Sequence, residues 1–326
     1  MTIAKIAEII GAVHIDGQTD ETIESVTVRV SEVGPGDLCF VEKYDEAQEA
    51  IVAGAAVIVC DTSCQIKANI TVLQVEDVGE AALRLAGYLV DENYVSIERL
   101  DTRAITFVQM IVTRKKMVAI LDTSWKKCFE GVMSRDKRLF LTDNEKYFTA
   151  LRPGKAIFTE EAEGYVVHAD SLFRTTFKLD GYVYQYKPMP FFHLPFLQQA
   201  VALCRRYELP YDISRIGWSR HFRPIFRDHE SKAGAPVCGS CVVVLSDHID
   251  DIVAGRDYLH ESGGVVVKTV ILVPQGFSDE RLYYPHYYYN EVDILEEVES
   301  TTCDYLFVLT ENTGLWSKIQ SRLQKD

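Results

Sequence analysis

The chain has 326 residues, of which 47% are apolar and 25% charged, and it carries a formal net charge of −14 at pH 7. That length admits two or three domains of ordinary size, and the composition is that of a soluble globular protein. The excess of acid excludes a nucleic-acid partner, because binding phosphate needs a basic surface.

The opening MTIAKIAEIIGAVHIDG alternates apolar and charged residues and has no signal-peptide core, and no run approaches the ~20 apolar residues of a membrane span. A cytoplasmic protein with no membrane partner is expected. Ile3, Ile6, Ile9 and Ile10 recur at helical spacing, and Val13 to Ile15 is a short strand. Pro35-Gly36-Asp37 is a turn that feeds a buried strand, Leu38 to Val41. A helix over 44–53, strands AAVIVC and ITVLQV, and a helix EDVGEAALRLAGYLV complete an α/β unit over residues 1–100.

The next part, residues 101–229, has more strand-like pieces: ITFVQMIV, KAIFT, GYVVHA and FRTTFKLDGYVYQY. Within it, the apolar run Met117 to Leu121 leads through a short polar turn into a helical stretch, the position a phosphate-binding loop would take. A helix starts at Pro195, with Phe196, Ala200, Cys204 and Tyr207 on one face. Over residues 230–326 the order is β-α-β-α-β-α, which predicts a Rossmann-like domain with a parallel sheet. The helix HIDDIVAGRDYLHES there ends at Gly263-Gly264. The eight cysteines are spread over the chain, mostly in apolar runs where a thiol packs as a small hydrophobe. Cys60/Cys64 and Cys238/Cys241 lack a nearby His pair, so packing outweighs a zinc site and no metal is expected.

Several of these stretches carry a resemblance. Pro35 to Phe40 and Gly54 to Val59 resemble the "pGDLF" and "GAaavi" segments of the N-terminal UDP-sugar-binding module of Mur ligases. They are also similar to the related module of UDP-acylglucosamine N-acyltransferases. The remainder follows the order of a MurF-type Mur ligase. AILDTSWKKCF lies where that family has its TGSxGKTTT phosphate loop, with Lys126 in the place of the loop lysine. PMPFFHLPFLQQAVALCRRYELPYDI resembles "GxHNxxNalaAiaxaxxlGi", with His193 on its histidine, and HFRPIFRDHES places Arg227 on the arginine joining the second and third domains. VVVLSDHIDDIVAGRDYL and KTVILVPQGFSDE look like "iiDDsYNANPxSmxaaL" and "kiaVLGdMxELG". The resemblance implies a three-part Mur-ligase-like α/β architecture. Such ligases join an amino acid or dipeptide to a UDP-muramoyl peptide through an acyl phosphate made from ATP.

The departures point away from that chemistry. Asp122 and Trp125 replace loop glycines, Lys127 replaces the hydroxyl that would hold Mg²⁺, and Leu194 and Leu197 replace asparagines. Asn144-Glu145 echoes "NNEiGlP", but the stretch from there to His193 is far shorter than the family's ATPase core. The central part is therefore expected to be truncated and its nucleotide site degenerate, with no cofactor.

Lys126 reads as an anion grip or, with more weight, a solvated helix face; His193 as a nucleotide contact or, with more weight, a packed ring. Arg227 reads equally as a ligand contact or an inter-domain salt bridge, and His248, Asp250 and Asp251 as metal donors or, with more weight, a helix start favoured by the dipole. The run YYPHYYY, 283–289, is balanced between a stacking surface and loop packing. Three readings follow: an inactive homologue that binds a UDP-sugar, a muramoyl peptide or a protein partner; an active ATP-dependent ligase with a rebuilt site; and a structural interaction module.

Overall fold

The computed structural model describes residues 1–66, 69–90, 95–134, 136–226, 241–262, 266–312 and 314–323. They form two compact units, one of residues 1–105 and 114–159, the other of residues 106–113 and 160–326.

In the first unit, helix α1 (Ile3–Ile10) is capped by the Thr2 hydroxyl and buries Ile3, Ile6, Ala7 and Ile10. Strands β1 (His14–Asp16), β2 (Val26–Thr27) and β3 (Leu38–Phe40) follow, then α2 (Tyr44–Ala53), β4 (Val57–Asp61), β5 (Thr71–Val75) and α3 (Val78–Leu89). The five strands lie in the order β1-β5-β4-β3-β2, all pairs parallel except β1 with β5. Alternation sorts the side chains: Leu38, Phe40, Val57, Val59 and Leu73 enter one core, Cys39, Ile58, Cys60 and Val72 the other.

A second, three-stranded parallel sheet follows, built from β6 (Ser96–Arg99), β7 (Val118–Ile120) and β8 (Leu139–Thr142) in the order β6-β8-β7. Helix α4 (Thr102–Ile111) lies between β6 and β7 in sequence, and α5 (Trp125–Ser134) and α6 (Glu145–Leu151) flank β8. Helix α3 packs against α1, α5 and α6, so one core runs from Ile3 to Leu151. Two glycines permit that closeness. A Cβ on Gly79 would stand 2.7 Å from the Trp125 ring, and one on Gly87 2.2 Å from the Leu151 carbonyl oxygen.

The second unit opens with an antiparallel meander, β9 (Gly164–Ser171), β10 (Arg174–Leu179) and β11 (Tyr182–Lys187), with β10 central. Helix α7 (Leu194–Arg206) has Pro195 in its first turn and buries Leu197, Ala200, Val201, Leu203 and Cys204. Next come β12 (Arg223–Phe226), β13 (Val242–Ser246), α8 (Ile249–Ser262), β14 (Thr269–Pro274), β15 (His286–Tyr288), α9 (Glu291–Ser300), β16 (Tyr305–Leu309) and α10 (Leu315–Leu323). The sheet order is β12-β13-β16-β14-β15, parallel except for β12. Val242, Val244 and Phe307 meet α8 residues Ile252 and Leu259 on one face. Val243, Leu306 and Val308 meet Ile294, Leu315 and Ile319 of α9 and α10 on the other. The predicted α/β class with parallel sheets and a Rossmann-like terminal part is the observed one.

Two strand expectations fail. ITFVQMIV lies in α4, where Ala104, Phe107, Val108 and Ile111 are buried at helical spacing. Its β-branched composition read as strand because burial on nearly every side removes the polar stripe that marks a surface helix. KAIFT is irregular and pairs with no strand among the described residues, with Ile157 exposed and Phe158 buried. Strands β12 and β15 were not foreseen. The first lies in the stretch read as a domain joint, the second in the tyrosine run, where Tyr288 bonds the Leu309 carbonyl at 2.8 Å while Tyr283, Tyr284 and Tyr289 stay exposed. Gly263-Gly264 and Cys238 lie outside the described residues.

Candidate functional site

Ligand sites in parallel α/β sheets lie at the carboxyl ends of strands, where the chain turns into a helix. Two such junctions carry the residues of interest, one in each unit.

In the first unit, β7 runs out through Leu121 into α5. The Asp122 carboxylate accepts the Ser124 N–H at 2.9 Å, and the Lys127 ammonium lies 3.3 Å away. These contacts, the backbone one foremost, hold its carboxyl below the usual carboxylate range. Thr123 offers its carbonyl to the Tyr147 hydroxyl at 2.6 Å. The Trp125 indole N–H donates to Glu42 at 2.9 Å, and the Lys126 ammonium sits 3.2 Å from Glu46 and 3.4 Å from Glu42. The turn is thus filled by the protein's own side chains. A fixed carboxylate stands at the start of α5, and the lysine charge is already matched by two others.

The same unit has a cleft of about 640 Å³ between α3 and the stretch after α6, lined by Arg84, Tyr88, Arg152 and Lys155 among others. Arg152 donates to the carbonyls of Gly87 and Val95 at 3.1 and 3.0 Å, and Lys155 pairs with the buried Glu98 at 2.9 Å. These bonds fix two of the three cations at the rim of a cavity otherwise open to a small molecule.

In the second unit, His193 is completely buried just before α7. Its Nε2 lies 2.8 Å from a carboxylate oxygen of Asp251, itself 2% exposed. Phe107, Phe192, Phe196 and Phe222 present edges to its ring. This is a packed histidine tied to the first turn of α8.

The second junction is where β13 turns into α8. Helix α8 covers one face of the sheet and α10, after the neighbouring β16, the other. Between the adjacent strands β13 and β16 the chain therefore departs in opposite directions, which opens a crevice at their carboxyl ends. Asp247 and His248 stand on one lip, and Thr310, Glu311 and Asn312 on the other, of a cleft of about 580 Å³. Behind Asp247 lies His221, fully buried. Its Nδ1 is 2.7 and 2.9 Å from the two Asp247 oxygens, and its Nε2 is 2.7 Å from the Thr106 hydroxyl on α4. Burial raises the Asp247 carboxyl, but the bond and charge of His221 and the charge of His248 outweigh it, leaving it below the ordinary range. An ionised Asp247 requires Nδ1 to donate, and in the neutral ring this leaves Nε2 to accept the Thr106 hydroxyl proton.

Of the residues the sequence singled out, Lys126 falls in the first unit and His193 in the second, and Arg227 lies outside the described residues. The acidic start of α8 is divided among partners: Asp250 pairs with Arg281 at 2.8 Å, Asp251 with His193, and only His248 stays with Asp247. Sequence reasoning missed His221 and Thr106. The signal for Asp247 was present, as a polar Asp-His directly after the buried run VVVLS. Cys60 donates to the Cys64 carbonyl, and burial pushes its thiol up to about 12, so this pair packs as neutral thiols.

No family profile and no curated protein matches the chain. Solved structures do. The MurF ligase of Thermotoga maritima in complex with ADP superposes with a TM-score of 0.54 at 10% identity, over 93% of this chain and 98% of that one. The UDP-N-acetylmuramoylalanyl-D-glutamyl-2,6-diaminopimelate–D-alanyl-D-alanyl ligase of Acinetobacter baumannii gives 0.51 at 10% identity, over 100% and 98%. A second crystal structure of MurF from that organism gives 0.51 at 11%, over 98% of each chain. The chain has the fold of MurF-type Mur ligases. Among the described residues, no helix is long and apolar enough to cross a membrane.

Proposed function

We propose that this chain is a Mur-ligase-like protein that no longer performs ATP-dependent ligation and acts by binding a UDP-sugar or peptidoglycan precursor, or a protein partner. One observation carries the reading: at the turn where the resemblance puts the phosphate loop, Lys126 is held between Glu42 and Glu46 and Trp125 fills the space. A phosphate loop works because glycines let several N–H groups converge on phosphate, each charge-assisted bond being worth roughly 1.5–3 kcal/mol. Asp122 adds repulsion at the same place. The cationic cleft of about 640 Å³ supports a retained small-molecule ligand, being within the roughly 300–1,000 Å³ of such sites.

Calorimetric titration with Mg-ATP is expected to give no binding, and micromolar affinity would sink the proposal in favour of an active ligase with a rebuilt site. A thermal-shift series with UDP-N-acetylglucosamine and UDP-muramoyl peptides is expected to raise the melting temperature by mass action. If neither nucleotide nor sugar nucleotide shifts it, the protein-partner reading remains.

A further inference from the structure

We propose that His221, Asp247 and His248 form a site for one divalent transition-metal ion in the crevice between β13 and β16, its remaining coordination positions open to the cleft. One donor atom from each of the three side chains lies within 4.8 Å of the others. The His221 Nδ1 is 2.7 Å from an Asp247 oxygen, and the His248 Nε2 is 3.6 Å from the other. Metal bonds of about 2.0–2.2 Å to nitrogen and oxygen put neighbouring donors roughly 3–3.5 Å apart. Small rotations of Asp247 and His248, both only partly buried, bring the three donors to that spacing.

The surroundings suit the ion. A histidine that binds a metal through Nδ1 must carry its proton on Nε2, and the proton needs an acceptor that also fixes the ring. The Thr106 hydroxyl stands 2.7 Å from that atom and reverses from donor to acceptor by rotating its hydrogen. The Arg220 Nε, 3.3 Å from the same nitrogen, comes from an exposed side chain free to swing aside. Asp250 and Glu311 line the cleft with Asp247, and Glu311 and Asp247 also line a narrower adjoining one with Arg220 and Arg223. Two imidazoles and one carboxylate favour Zn²⁺, Co²⁺ or Fe²⁺ over Mg²⁺, which prefers all-oxygen ligation. The site is therefore independent of any magnesium carried by a nucleotide.

Cobalt is the probe. Full-length protein stripped with chelator and titrated with Co²⁺ is expected to take up one equivalent, with visible d–d absorption and a higher melting temperature. His248→Ala and Asp247→Asn should each weaken uptake at least tenfold while circular dichroism stays that of the wild type. Thr106→Val, which keeps the side-chain shape, should weaken it by about tenfold as the loss of an outer-shell partner does. Absence of Co²⁺ uptake by the wild type overturns the proposal. Equal uptake by the His248 and Asp247 variants does so as well, as do sulfur-to-cobalt charge-transfer bands, which place the ion on cysteines.

Discussion

The two strand-to-helix junctions, β7 into α5 and β13 into α8, both lie at the carboxyl end of a parallel strand and have opposite fates. At the first, the side chains that mark the turn are matched by neighbours within the unit: Asp122 by Ser124 and Lys127, Trp125 by Glu42, Lys126 by Glu42 and Glu46. At the second, the chain leaves β13 and β16 on opposite faces of the sheet and a cleft stays open beside Asp247 and His248. A junction offers N–H groups and a helix dipole, but whether it can hold a ligand depends on what the rest of the unit sends into it. In the first unit α2 and the segment just before it send the carboxylates of Glu46 and Glu42, and α3 leaves room for an indole; in the second, α4 sends the Thr106 hydroxyl and His221, two residues before β12, an imidazole.

The largest expected effect tests how firmly the second junction is built. His221→Ala removes a fully buried ring and leaves the Thr106 hydroxyl and an ionised Asp247 without it. A cavity plus a buried unsatisfied group costs about 2–4 kcal/mol. Urea unfolding of metal-free protein reads this directly. A loss below about 1 kcal/mol, the range of surface ion pairs, would make the two junctions alike and remove the contrast.

Much of this comparison was legible in the sequence at the first junction and little at the second. Strand, turn and helix around 117–133 are local, and α2 and α9 fall over the stretches read as helices, since periodicity and capping are short-range signals. Asp122, Trp125 and Lys127 could be read as wrong for a phosphate loop from their chemistry alone. What fills the turn could not, because Glu42 and Glu46 come from the region of α2, some 80 positions earlier. At the second junction, Thr106 and His221 are 115 positions apart, and Thr106 sits in a helix whose β-branched residues read as strand. His193 reads as a packed residue from its apolar surroundings in the sequence, and its aromatic neighbours Phe192 and Phe196 are part of its cage.

A middle-sized effect sharpens the account of the closed junction. Gly79 on α3 lies under the Trp125 ring, so that an added Cβ would stand 2.7 Å from it. Gly79→Ala must push the indole outward or displace α3, and overpacking of this kind costs about 1–3 kcal/mol. Tryptophan fluorescence should shift to the red as the ring gains exposure, together with the drop in denaturant midpoint. An unchanged spectrum with full stability would show that Trp125 is not held in the turn by this contact.

The smallest effect concerns Lys126 and has a pH signature. Burial raises the Glu46 carboxyl, but the backbone N–H groups of Glu42 and Lys43 together with Lys126 outweigh it and hold it below the ordinary glutamate range. A carboxyl whose folded-state pKa is depressed contributes stability that is complete above its unfolded value, about 4.3, and is lost as the pH falls through the folded value. Lys126→Met removes one cause of the depression and keeps the length of the stem. It should cost less than about 1 kcal/mol at neutral pH, as a partly exposed ion pair does. The difference from the wild type should then shrink as the pH falls below the glutamate range, because a protonated Glu46 no longer gains from the ammonium. Melting temperatures of both proteins from neutral to acid pH provide the measurement. Curves that stay parallel into acid would mean that Lys126 is held by packing against Trp125, whose ring centroid lies 5.5 Å from the ammonium, and not by its carboxylates. The charge match would then be incidental to closure of the turn, and the indole alone would keep phosphate out.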